Sequence, residues 1–205
     1  MTRPDPPMKV AILAFDQVEA LDLAGPYEVF TTASRMHLRE NPASQALFEV
    51  HCVAQSQAPV RARAGLALLP THGFEDTPAP DVLIVPGGVV DDALTSAQTL
   101  TWIARANRSA QITASVCTGA FLLAASGVIT TGEVTTHWED LDDLARRFPA
   151  LTVRDGVRWV DQGRVVTSAG ISAGIDMSLH LVARLAGMAL AERTAHQMDF
   201  QWTRA

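Results

Sequence analysis

A chain of 205 residues, 48% hydrophobic and 19% charged, can bury a sizeable core, and its length suits one domain better than two. Its 22 acidic residues outweigh 16 basic ones for a net charge of −6, which argues against a general pull toward nucleic acid or an anionic membrane and leaves a neutral or small polar molecule as the expected partner. Two cysteines, Cys52 and Cys117, make no disulfide framework and favour a reducing, cytoplasmic compartment.

In chain order, residues 1–7 read as a disordered, proline-rich extension with no apolar core for a signal peptide, followed by one domain over 8–205. Lys9 to Phe15 is a short apolar run expected to be a buried strand, and Tyr27 to Met36, behind Gly25-Pro26, is expected to be a helix with proline in its first turn. Phe48 to Ala54 reads as a second strand and Val60 to Leu69, around Gly65, as a hairpin. Asp81 to Val85 is a further buried strand ending in Pro86-Gly87-Gly88, with a helix expected from about Thr95 to Asn107. Next come a strand at Ile112 to Val116, a helix at Thr118 to Ser126 closed by Gly127, a strand at Glu133 to Thr136 and a helix at Trp138 to Phe148. Val153 to Thr167 reads as paired strands, and Ser172 to Ala186 and Ala189 to Trp202 as two closing helices. The longest apolar stretch, Ala114 to Ile129, is too interrupted by small polar residues and glycines for a membrane span. Strands alternating with helices predict an α/β fold, a mainly parallel sheet covered by helices on both faces.

In such a sheet the ligand lies beyond the C-terminal strand ends. Ser115-Val116-Cys117-Thr118-Gly119-Ala120 follows a predicted strand there and has the form of a nucleophile elbow, with small neighbours that permit a sharp strand-to-helix turn. A cysteine at a helix N-terminus is expected to be held toward thiolate by the unpaired N–H groups it faces. The Thr118 N–H, with Gly88 in the Gly-Gly corner as a second donor, is expected to bind developing negative charge. The alternative is that Cys117 fills a gap in the core, as most free cysteines do. Asp22, set between apolar residues in Leu21-Asp22-Leu23, is the expected acid partner, unless it only caps the following helix. Glu19 reads as more exposed and less suited. His137, at another strand end, borders the expected pocket in either a structural or a functional role. His72, His180 and His196 lack paired ligand spacing, so no metal site is expected, and Cys52 reads as core.

The order of DLAGPYEVF, a Gly65-containing hairpin, IVPGG, SVCTGAFLLAASG, TTHW and SAGISAGID resembles the ThiJ/PfpI superfamily over about Met8 to Ala186. That resemblance implies a flavodoxin-like fold shared with class I glutamine amidotransferase domains, and a homodimer. Asp22 in LDLAGP, together with Cys117-Thr118-Gly119 and TTHW, is similar to the isocyanide hydratase branch. Carried over by position, the resemblance implies Cys117 as nucleophile, Asp22 as the acid beside it, Thr118 and Gly88 as anion-binding backbone, and Gly170-Ile171 as the segment packed next to the cysteine. The expected activity is hydration of a small isocyanide to an N-substituted formamide through a covalent thioimidate, with no cofactor. Thr118 stands where peptidase-like relatives have histidine, and Asp22 where many other branches have glutamate, which weighs against peptidase, amidase and glyoxalase activities. Two other readings are a small-molecule sensor like the N-terminal part of AraC-type regulators and a redox sensor acting through Cys117. Because the chain ends at Ala205, shortly after the last predicted helix, no DNA-binding module is expected.

Overall fold

The computed structural model describes residues 6–204, so most of the expected 1–7 extension lies outside the described residues. Its strands are β1 (Met8–Leu13), β2 (Phe48–Ala54), β3 (Val60–Arg61), β4 (Ala67–Leu68), β5 (His72–Gly73), β6 (Val82–Val85), β7 (Ile112–Val116), β8 (Gly132–Val134), β9 (Leu151–Val153), β10 (Trp159–Asp161) and β11 (Val165–Ser168). The α-helices are α1 (Ala20–Glu40), α2 (Asp91–Thr95), α3 (Ala97–Ser109), α4 (Gly119–Ala125), α5 (Leu141–Arg147), α6 (Ala173–Ala186) and α7 (Met188–Gln197).

Seven strands form one sheet in the order β10-β11-β7-β6-β1-β2-β5, parallel throughout except for β10, which runs antiparallel to β11. All four residues of β6 and all five of β7 are buried, so these strands are continuous apolar or small-residue runs without alternation, as a sheet covered on both faces requires. From β1 the chain moves outward through α1 to β2, and later from β6 through α3 to β7 in the opposite direction. Right-handed crossovers in opposite directions put α1 and α3 on opposite faces. Accordingly α1, α6 and α7 pack on one another, and α2, α3 and α4 form a second group. Strand order reverses between β1 and β6, and beyond their C-terminal ends the chain forms a small antiparallel bridge between Val18 and Gly88. Such a reversal splays the connecting loops apart and opens a crevice.

Several boundaries differ from expectation. Helix α1 begins at Ala20, seven residues before Tyr27, so Pro26 lies inside it and Asp22 lies in its first turn. Pro26 lacks the N–H that would bond the Asp22 carbonyl. The N-terminal end of α1 is anchored by tertiary contact instead, with the Glu19 N–H donating to Gly87 O at 2.8 Å. The helix expected from about Thr95 to Asn107 is α3, capped by Ser96, whose hydroxyl accepts from the Thr99 N–H at 3.2 Å, and a short helix α2 that was not expected precedes it. Strands β8 and β9 pair with each other outside the main sheet, so the expected Val153 to Thr167 pairing holds only for β10 and β11. Helix α7 stops at Gln197; Asp199 then takes a left-handed conformation (φ 49°) and the chain turns back.

That returning tail meets a buried charge. Asp176, fully buried near the start of α6, accepts from Arg158 Nε at 2.9 Å and from the Thr203 N–H at 2.8 Å, while Trp202 Nε1 donates to its carbonyl at 3.1 Å. Arg158 also reaches the Ser172 hydroxyl at 3.2 Å, so one ion pair ties β10, the loop before α6 and the C-terminal tail together. Removing one partner of a buried pair leaves the other uncompensated. Arg158→Met is therefore expected to lower the free energy of unfolding by about 3 kcal/mol in urea titration at neutral pH. A loss under about 0.5 kcal/mol, the range of ordinary surface changes, would show that the pair holds nothing.

Candidate active site

Three loops converge at the strand-order reversal: the one after β1 leading into Asp22, the Pro86-Gly87-Gly88 corner after β6, and the turn after β7 carrying Cys117. Cys117 has φ 56°, a left-handed conformation that a side-chain-bearing residue adopts only when its surroundings enforce it. The enforcing contacts are close. A Cβ on Gly119 would lie 2.0 Å from the Val85 carbonyl oxygen, and one on Gly87 would lie 2.5 Å from the Thr118 nitrogen. The Cys117 N–H donates to Ser168 O at 3.1 Å, and its carbonyl accepts from the Thr136 hydroxyl at 2.9 Å. The turn is thus pinned from both neighbouring segments, as a nucleophile elbow requires.

Asp22 is fully buried next to this turn. Its Oδ2 accepts from the Gly87 N–H at 3.1 Å, Oδ1 has no hydrogen-bond partner among the described residues, and the carboxyl group lies within reach of the Cys117 thiol. It caps no helix N–H, so the capping alternative is set aside: Glu19 occupies the N-cap position, also without a side-chain cap. Burial pushes the Asp22 carboxyl up to about 7, aided by the nearby Glu19 charge and opposed by the Gly87 N–H and the Cys117 thiol.

Burial pushes the Cys117 thiol up as well, to about 12, with the Asp22 charge adding to it and the Thr118 N–H opposing it. This overturns the expectation of a resting thiolate. Only a seven-residue helix follows the elbow, and its dipole is outweighed by the loss of water around the sulfur and by a carboxylate alongside it. The resting site is therefore a thiol beside a carboxyl group titrating near neutrality, a pair able to pass one proton between them. Cys52, similarly buried at 7% exposure against 6% for Cys117, is raised to about 11 by burial alone.

Gly88, expected as a free second donor, has its N–H engaged: it donates to Thr118 Oγ1 at 2.9 Å, and that hydroxyl donates back to Gly88 O at 2.8 Å. The corner thus orients the Thr118 side chain and offers no bare N–H. Gly170 packs flush against the thiol, since a Cβ there would lie 2.9 Å from Cys117 Sγ and 2.5 Å from His137 Cδ2. Ile171, Thr118, Gly88, His137 and Cys117 all line one cavity of about 300 Å³. His137 Nδ1 accepts from the Glu139 N–H at 3.3 Å and lies 3.5 Å from Asp140 Oδ2.

Sequence reasoning missed much of the cavity wall. Arg63 comes from the hairpin, Asp91 from α2, and Glu139, Asp140, Asp143 and Arg147 from the segment after His137. The acid-rich run Trp138-Glu139-Asp140-Leu141-Asp142-Asp143 was a legible hint of a charged rim; Arg63 had none. Glu19, read as too exposed, has a side chain only 23% exposed and stands on this wall with Arg63 Nη1 at 4.0 Å. Among the described residues, no helix is long and apolar enough to cross a membrane.

The sequence pattern of the DJ-1/PfpI family matches residues 8–184. The chain belongs to the DJ-1/PfpI family. Within that family, isonitrile hydratase from Pseudomonas putida is 37% identical over 194 residues, covering 94% of this chain and 78% of that protein. A ThiJ/PfpI family protein from Pseudomonas syringae, of known crystal structure, superposes with a TM-score of 0.83 at 30% identity, covering 97% of this chain and 77% of that one. The HTH-type transcriptional regulator GbdR from Pseudomonas aeruginosa is 28% identical over 204 residues, and this chain, 95% covered, spans only 54% of the regulator's length. The sheet order of this chain and its turn after β7 account for the juxtaposition of Asp22, Gly88 and Cys117 from three distant parts of the sequence.

Proposed function

We propose that this protein is a cysteine-dependent hydro-lyase that hydrates small isonitriles (isocyanides) to N-substituted formamides, acting as a homodimer in the cytoplasm. The observation that carries the reading is the buried Asp22–Cys117 pair at an elbow opening on a cavity of about 300 Å³. The 37% identity to an isonitrile hydratase supports it. The Asp22 carboxylate takes the thiol proton as Sγ bonds the terminal isonitrile carbon, then delivers that proton to the same carbon, giving R–N=CH–S–Cys117. Water adds across the C=N bond with Asp22 as base, its hydroxyl going to carbon and a proton to nitrogen. Breaking the C–S bond releases R–NH–CHO, and the sulfur recovers its proton. A thiolate is thus needed only during attack, which reconciles a raised thiol pKa with a nucleophilic role. The Thr118 N–H stabilises charge on sulfur, the Thr118 hydroxyl is held by Gly88, and Gly170 and Ile171 shape the substrate's approach beside His137. No cofactor enters any step.

Steady-state assay against a panel of isonitriles, amides and 2-oxoaldehydes tests the reaction class, with Cys117→Ser as control. Formamide production by the wild-type chain alone is the expected result; none from any isonitrile overturns the reading. A second reading, a ligand-sensing module, is favoured by the 28% identity to GbdR over 95% of this chain. It predicts saturable ligand binding that survives Cys117→Ser without turnover. Sedimentation at micromolar concentration is expected to give twice the 22.0 kDa chain mass, and a monomer throughout would remove the dimer from the proposal.

A further inference from the structure

The cavity in front of Cys117 is strongly acidic for a site reading as one for small neutral molecules. Five carboxylates line it, Glu19, Asp91, Glu139, Asp140 and Asp143, against only two guanidinium groups, Arg63 and Arg147. Both arginines are already committed. Arg63 lies 4.0 Å from Glu19, and Arg147 lies 3.8 Å from Asp143 with its guanidinium 5.4 Å above the Phe121 ring. Among the described residues, that leaves Asp91, Glu139 and Asp140 without an arginine or lysine salt-bridge partner; Asp140 and Glu139 face the His137 ring, with Nδ1 at 3.5 and 3.7 Å, and the Arg63 charge acts on Asp140 only from farther off. The charge is functional in reach, because Asp140 is among the groups whose field bears on the Cys117 thiol. Beside Cys117 stands the fully buried Asp22, its Oδ1 without a hydrogen-bond partner among the described residues, so the sulfur marks where a ligand's reacting atoms must come.

We infer that the site selects for substrates carrying a positive charge, such as isonitriles or other carbon electrophiles bearing an ammonium or amidinium group on an apolar body, and rejects carboxylated ones. Like charges in a partly enclosed cleft focus the field, raising the local concentration of cations and lowering that of anions. The apolar part of the wall, Val89, Val90, Phe121 and Ile171, accommodates the rest of the molecule. The choice of isonitriles rests on the hydratase reading, whereas the charge preference rests on the cavity wall alone.

The test uses the whole protein and two sets of probes. A cationic trimethylammonium-ethyl methanethiosulfonate and its anionic sulfonatoethyl counterpart are reacted with Cys117 at one mildly alkaline pH, with the modified residue located by mass spectrometry and rates divided by those for a free small thiol. The cation is expected to lead by about 10-fold or more after that correction, the lower end of electrostatic steering. The lead is expected to vanish near 1 M salt, where the screening length is about 3 Å. Asp91→Asn combined with Glu139→Gln, both exposed positions outside the proposed chemistry, is expected to reduce the lead severalfold while leaving alkylation by neutral iodoacetamide unchanged. A second arm compares kcat/KM for ammonium-bearing, neutral and carboxylate-bearing alkyl isonitriles, with the same order expected. Equal rates for the two thiosulfonates, or a lead that the double variant leaves intact, would overturn the inference whatever the isonitriles do. A thiosulfonate preference with no isonitrile turned over would instead uphold the charge selectivity and remove the hydratase reading.

Discussion

Asp22→Asn is expected to abolish most turnover while making the protein more stable at alkaline pH. Asparagine fills the same space and can still accept from the Gly87 N–H, but it can neither take the thiol proton nor return one. Loss of a positioned acid–base group costs about 10²–10⁴-fold in rate. The stability effect runs the other way because the native carboxyl group is raised from 3.8 to about 7, so folding favours its protonated form. The stability from that form is fully present below the unfolded pKa near 4, is lost as pH rises to about 7, and is then constant. The shift corresponds to about 4 kcal/mol of burial penalty on the ionised group, at about 1.4 kcal/mol per pH unit. Asparagine carries no such penalty, so the variant's melting temperature should exceed the wild type's at pH 8 and match it near pH 4. Wild-type activity should also rise with pH through about 7, as the doubly protonated pair gives way to the form with one shared proton. An Asp22→Asn protein with full turnover would refute the mechanism, and one with no stability gain at pH 8 would refute the buried carboxylate.

Gly88→Ala is expected to disable the protein by a different route. Gly88 has φ 134°, a conformation open essentially to glycine alone, and a Cβ there would lie 2.2 Å from the Gln17 carbonyl oxygen and 2.6 Å from the Glu19 nitrogen. Both obstacles are backbone atoms of the bridge that joins the β1 and β6 loops, so neither can rotate away. Overpacking added to backbone strain is expected to cost about 4 kcal/mol or more. The displaced corner would also release the Thr118 hydroxyl from its two bonds to Gly88. Gly65→Ala is the control: φ 96° makes it strained too, but nothing lies within 4 Å, so it should cost less and spare activity. Equal stability loss at the two positions would mean that the close approach at Gly88 contributes nothing.

The elbow was legible because its chemistry is local. A buried strand followed by Cys117-Thr118-Gly119 specifies a sharp turn with small neighbours, although the left-handed φ at Cys117 is enforced by the neighbouring segments at Val85, Gly87, Thr136 and Ser168. Asp22 was legible for a related reason, since a carboxylate between leucines has few innocent explanations. The start of α1 was misread because Gly25-Pro26 is a local stop signal, overridden here by hydrogen bonds from the far-off Pro86-Gly88 corner. The short α2 was missed because five residues are too few to show a helical period in the sequence.

What the sequence determined alone was the parallel α/β architecture, through its alternation of short buried runs with helical patterns, and the placing of Asp22, Gly88 and Cys117 at strand ends where loops must meet. The protonation of that site was decided by tertiary structure. Helix position argues for a thiolate, but closing three loops over Cys117 removes its water and sets a buried carboxyl group beside it, and those larger energies leave a thiol near 12 and an acid near 7. The acidic wall was likewise assembled only in three dimensions, from the loop after β1, a short helix and the segment after His137. Charge selectivity depends on distances between groups remote in sequence, and only the folded sheet sets those distances.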